Sequence, residues 1–147
     1  ERTGSMRIAV SVGILVIALM VGPVLAAPPD KVSDADSLTK VGRYYSAEKL
    51  LEKITASEAG QKDADAWAKL ATVRLDMPNP DLDGAEAAIM TALELVKDKN
   101  ARYWKILGRV SFARGDQALA ARQAANTIKS WYSDAEVKFG ESRKLDP

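Results

Sequence analysis

The chain has 147 residues, with 21 Lys+Arg against 20 Asp+Glu, and it contains no cysteine and no histidine. That is room for one compact domain, and the missing residue types exclude thiol nucleophiles, Ser-His-Asp triads, thiolate or imidazole zinc sites, Cys-linked haem and disulfides. From Ala27 onward 19 basic residues face 19 acidic ones, a balance that speaks against a general nucleic-acid binder.

Residues 1–5 precede Met6, and Gly4-Ser5 reads as a cloning scar to be left out of the fold argument. Arg7 and an uncharged run over residues 8–29 follow, with small residues at Val24 and Ala26. This pattern of charge, apolar core and small-residue exit predicts a secretory signal peptide over 6–26, cut before Ala27. A retained signal anchor stays open beside it, because 8–27 is long enough to span a bilayer. Both readings place the remainder outside the cytoplasm, periplasmic, secreted or membrane-anchored, with contact to a membrane only through residues 8–27. Residues 27–36 read as a linker and 37–147 as the domain.

Past Pro28-Pro29-Asp30 the apolar residues recur at spacings of three and four, so the chain is expected to be all-α. Helices are predicted over 35–41, 46–54, 64–76, 84–96, 101–114, 117–130 and 133–145. Gly42, Gly60, Pro78-Asn79-Pro80, Lys99-Asn100, Gly115-Asp116 and Trp131-Tyr132 supply the breaks.

Two of these helices carry a shared motif, Trp67-Ala68-Lys69-Leu70-Ala71 and Trp104-Lys105-Ile106-Leu107-Gly108, 37 residues apart. Second-helix halves follow as Ala47…Leu51, Ala85…Ile89, Ala120…Ala124 and Ala135…Phe139, and the chain closes on Leu145-Asp146-Pro147. The pattern resembles the tetratricopeptide repeat (TPR), whose units read W-x-x-L-G and then A-x-x-x-F. Arg74 and Ser111 stand where that family carries an aromatic residue. The resemblance implies a right-handed α-solenoid of about three helical hairpins, with Gly115-Asp116 as a turn between helices.

It also implies an adaptor that binds a peptide or helix of another protein on a concave face; the leader adds a place in a cell-envelope assembly, and neither catalysis nor a cofactor is expected. Carried over by position relative to each Trp, that face holds Lys69, Thr72 and Leu75 from one unit and Arg102, Lys105, Arg109 and Phe112 from the next. The three cations share one helix face and would suit an acidic segment or a C-terminal peptide; a solvated basic face accounts for them equally well. Residues 76–94 carry five acidic residues and no basic one, whereas 101–129 carry six basic and one acidic, a polarity that also suits self-association. A membrane-anchored structural subunit is the alternative if the leader is retained.

Asn79-x-Asp81-x-Asp83-Gly84 opens like a calcium loop, but Met90 stands where the bidentate glutamate is required, and an acidic helix cap explains the same residues. Neither metal ligands nor catalytic residues are assigned. Close carboxylate pairs such as Asp63 and Asp65 read as caps.

Overall fold

The computed structural model describes residues 30–146. The expected scar, the expected leader and the first part of the expected linker lie outside the described residues. Within them are six α-helices, one 3₁₀ turn at Gly60–Lys62 and no strand, so the domain is all-α. None of these helices is long and apolar enough to cross a membrane. The helices are α1 (Val32–Lys40), α2 (Tyr44–Ala56), α3 (Ala64–Asp76), α4 (Leu82–Leu95), α5 (Ala101–Ala120) and α6 (Ala125–Leu145). α1 begins inside the stretch read as linker, because Ala35 is fully buried in the core.

Side chains that satisfy free backbone N–H groups set where three of the helices start. Asp63 accepts from the amides of Asp65 and Ala66 at 3.0 and 3.1 Å and opens α3. Asp81 accepts from Gly84 N–H at 3.0 Å and opens α4, just after Pro78 and Pro80, which cannot continue a helix. Asn100 accepts from Arg102 and Tyr103 at 3.0 and 3.3 Å and opens α5.

The predicted breaks at Gly115-Asp116 and Trp131-Tyr132 are not breaks, and the helix expected over 117–130 does not exist. α5 runs through the first site and α6 through the second, and the turn falls between Ala120 and Ala125. There Arg122 takes φ 52, with Gln123 N–H bonded to Ala118 carbonyl and Arg122 N–H to Leu119 carbonyl. This pair of bonds is the Schellman closure, which usually takes glycine at the left-handed position. Gly42 closes α1 the same way at φ 76, but Lys97 does so for α4 at φ 53. Two of the three closures thus lack the glycine that marks such a site in a sequence.

Gly115 instead serves a close helix approach. A Cβ there would lie 2.6 Å from the Tyr132 ring, and one at Gly108 would lie 2.7 Å from Phe139. With Ser111 between them, these small residues let α5 and α6 pack antiparallel along their length.

Packing otherwise follows chain order. α1 pairs with α2, α3 with α4 and α5 with α6, while α3 touches both α1 and α2, and α5 both α3 and α4. The main core joins Leu51, Leu70, Ile89, Leu93, Tyr103 and Leu107, and a smaller one joins Leu75, Leu82, Ala85 and Val110.

Candidate partner-binding face

Three faces of α5 have three different neighbours. Tyr103, Leu107 and Val110 turn toward α3 and α4 and are buried in the two cores. Gly108, Ser111 and Gly115 turn toward α6. Arg102, Lys105, Arg109 and Phe112, at spacings of three and four, form the third face, and all four are exposed.

This third face continues onto α6. A depression of ≈ 480 Å³ lies between Arg102 and Lys105 on one side and Phe139 and Arg143 on the other. A second, ≈ 450 Å³, is walled by Phe112, Tyr132, Phe139 and Arg143. Leu75 of α3 joins Arg109, Phe112 and Phe139 around a third of ≈ 420 Å³. Phe139 borders all three, so the hollows adjoin around its ring as a trough lined by aromatic residues. Phe112 and Tyr132 stack obliquely along it, their ring centroids 5.3 Å apart.

The residues expected from α3 sit differently. Lys69 is ion-paired with Asp36 of α1. The Thr72 hydroxyl donates to Ala68 carbonyl at 2.9 Å, and Leu75 is buried. Of the α3 set, only Leu75 reaches the trough that Arg109 and Phe112 border. Phe139, Arg143 and Tyr132 were not expected there; the A-x-x-x-F pattern points Phe139 to the core, and Arg143 reads as an ordinary cation in a last helical turn.

Charge on the face is unevenly committed. Arg109 pairs with Asp76 at 2.7 Å. Among the described residues Arg102, Lys105 and Arg143 pair with no carboxylate within ion-pair distance, although Asp116, Glu136 and Asp146 line the same trough. Elsewhere one cation often takes several acids. Arg74 binds Glu48 at 2.9 Å and Glu52 at 2.6 Å, and Arg114 binds Asp83 at 2.7 Å and Glu86 at 2.6 Å while lying 5.0 Å over the Trp131 ring. Among the described residues the trough thus keeps three cations without a carboxylate in direct contact, although acidic residues in equal number line it.

The perturbed groups are interhelical ties. Burial disfavours charge on Arg74, yet the bonds to Glu48 and Glu52 outweigh it and raise its pKa. Burial, and then the 2.7 Å bond donated to Asp65, push the Tyr103 phenol up. The bond to Asp116 does the same for Tyr132. Burial alone would raise the Asp134 carboxyl, but Lys138 and Ser111 donate to it at 2.7 and 2.6 Å and hold it below the usual range. Each of these bonds is made with another helix or fastens one, and none opens onto an enclosed cleft.

Asp81 and Asp83, singled out by the calcium-like spacing, are employed as a helix cap and as a partner of Arg114. Among the described residues no group of three or more acidic side chains is placed to hold a metal ion.

The two motif tryptophans have matching surroundings. Trp67 indole N–H donates to Gln61 carbonyl at 3.3 Å and Trp104 to Asp98 carbonyl at 3.0 Å, each six residues upstream. Each stands four residues after its helix cap, Asp63 or Asn100, and each packs half-buried against the same core. No protein-family model, no curated protein and no solved structure matches the chain.

Proposed function

We propose that this chain is a non-enzymatic TPR-like adaptor, a right-handed solenoid of three helical hairpins that binds a segment of another protein. The observation that carries the reading is the equivalence of Trp67 and Trp104. The same indole bond, cap spacing and core recur 37 residues apart, which is what a repeated hairpin requires and what a bundle of unrelated helices has no reason to produce. The order of contacts supports it too, since each first helix from α3 onward lies against both helices of the preceding pair.

The binding surface on this reading is the trough beside Arg102, Lys105, Arg109 and Phe112. Uncommitted cations around an aromatic floor suit an acidic segment with apolar anchors, and recognition of that kind needs no catalytic group. In pull-down from the source cells, the charge-reversed variant R102E/K105E/R109E should lose the partner while keeping its helical circular dichroism. Undiminished capture by that variant would remove the trough from the proposal.

The leader supports placing the domain outside the cytoplasm, in a cell-envelope assembly. A mature N-terminus at Ala27 marks a released adaptor, whereas an intact leader marks the membrane-anchored subunit.

A further inference from the structure

The last hairpin can be laid over the one before it, the motif tryptophans setting their first helices 37 residues apart. Arg74 of α3 bonds the Gly84 carbonyl of α4 at 3.2 Å, and Ser111 of α5 bonds Asp134 of α6 at 2.6 Å. These pairs put Arg74 in register with Ser111 and Gly84 with Asp134. Ala85 then corresponds to Ala135, and both are buried against their own first helix. On that register Ile89, Ala92 and Leu93 correspond to Phe139, Ser142 and Arg143, while Asp65, Ala68 and Leu75 correspond to Arg102, Lys105 and Phe112.

The earlier set is covered. Ile89 and Ala92 are 0% exposed and Leu93 1%, because α5 lies over them with Tyr103 and Leu107; Asp65 accepts the Tyr103 hydroxyl at 2.7 Å. The later set is open. Phe112 is 50% exposed, Phe139 and Ser142 are half-buried, and Arg143 is exposed. The trough is the seat that a first helix occupies one hairpin earlier, with nothing of the described chain upon it.

We infer that this seat takes an amphipathic, acidic α-helix of a partner protein, which stands where the next first helix of the stack would stand. The inference rests on the adaptor reading and specifies the partner's conformation and chemistry. A helix is what fills the equivalent seat one hairpin earlier, and this seat, bounded by two helices whose main chains are internally bonded, offers an extended peptide no strand edge to pair with. Phe112 and Phe139 call for an apolar stripe at helical spacing. Arg102 and Lys105 on one rim and Arg143 on the other, none of them paired with Asp116, Glu136 or Asp146 of the same trough, call for acidic residues on both sides of that stripe. The chain's own acidic helix is a poor occupant. α4 commits Ile89 and Leu93 to its core and offers only Met90 and Leu95 outward as large apolar groups.

The probe is a side-chain-stapled peptide of about 16 residues, with leucines on one helical stripe and glutamates flanking them; the staple offsets the nucleation cost of so short a helix. Two controls accompany it: the same composition with a central proline, and a version with lysine for glutamate. Fluorescence anisotropy on the full chain should show binding by the stapled acidic helix, binding at least about tenfold weaker by the proline peptide, and none by the lysine peptide. Arg143→Glu, at an exposed position that spares folding, should weaken the first interaction about tenfold, and Lys129→Glu, also exposed but away from the seat, should leave it unchanged. Equal binding by the proline peptide, or indifference to Arg143→Glu, overturns the helix inference. The adaptor reading survives that result if R102E/K105E/R109E still loses the cellular partner, and falls with it if it does not. A concentration-dependent dimer dissolved by Arg143→Glu would show that a second copy fills the seat, and would equally overturn the inference.

Discussion

The α3–α4 and α5–α6 hairpins start alike and end differently. Each first helix opens on a polar cap, sets a tryptophan four residues later and ties that indole to the loop behind it. Yet α3 and α4 have 13 and 14 residues, while α5 and α6 have 20 and 21, about two turns more in each helix. The extension lies at the hairpin's turn, and Arg114 fastens its base to Asp83 and Glu86 of α4. The outward side of the first pair is roofed by α5, and that of the second is left open by the described residues. The same residue positions are therefore core in one hairpin and surface in the other, and chemistry follows coverage: Leu93 becomes Arg143, and Ala68 becomes Lys105.

The comparison can be broken most directly at that pair. Leu93→Ala removes a side chain that is 1% exposed and leaves a cavity in the core, so it should cost about 2–5 kcal/mol in a urea titration. Arg143→Ala, at the corresponding position, removes an exposed side chain that pairs with no carboxylate among the described residues, and should change stability by less than about 0.5 kcal/mol. Similar losses at both positions would mean that the correspondence between the hairpins is wrong.

A smaller effect tests why the longer hairpin holds together. Gly115→Val would push two methyl groups into the Tyr132 ring, where a Cβ alone would already sit 2.6 Å from it. The helices must part locally, and thermal unfolding should show a loss of about 1–3 kcal/mol, partly offset because valine is a better helix residue than glycine. A neutral result would mean that the close approach is dispensable.

That glycine also shows where the sequence could be read and where it could not. α3 runs from Ala64 to Asp76, as the spacing predicts, because its cap, its apolar periodicity and the prolines after it all agree. The turn after α5 was not legible, since Arg122 holds a conformation that glycine normally advertises, while the visible glycine is there for packing. The error propagates to the candidate site. Arg102, Lys105, Arg109 and Phe112 could be grouped from sequence because they share one helix and need only its period. Phe139 and Arg143 could not, because they join that group only through the register of α6 against α5, and the misplaced break at Gly115 hides that register. Lys69, Thr72 and Leu75 were grouped by analogy of position, which carries no information on what covers each helix.

The smallest effect reverses the sign of the glycine argument. Gly140 lies in the same hairpin, on the interior of α6, but a Cβ built there meets nothing within 4 Å. It has no positive φ to preserve and no neighbouring helix to admit, so its conformational freedom in the unfolded chain is a cost without a structural return. Gly140→Ala should therefore raise stability by about 0.5–1 kcal/mol in the isolated domain. The substitution also probes what lies beyond the domain. If alanine stabilises the protein yet impairs capture of the cellular partner, then Gly140 is kept small for a close contact that the partner makes on the outer side of α6, and the interface extends past the trough. If alanine stabilises and capture is unchanged, binding stays confined to the aromatic and basic residues between α5 and α6.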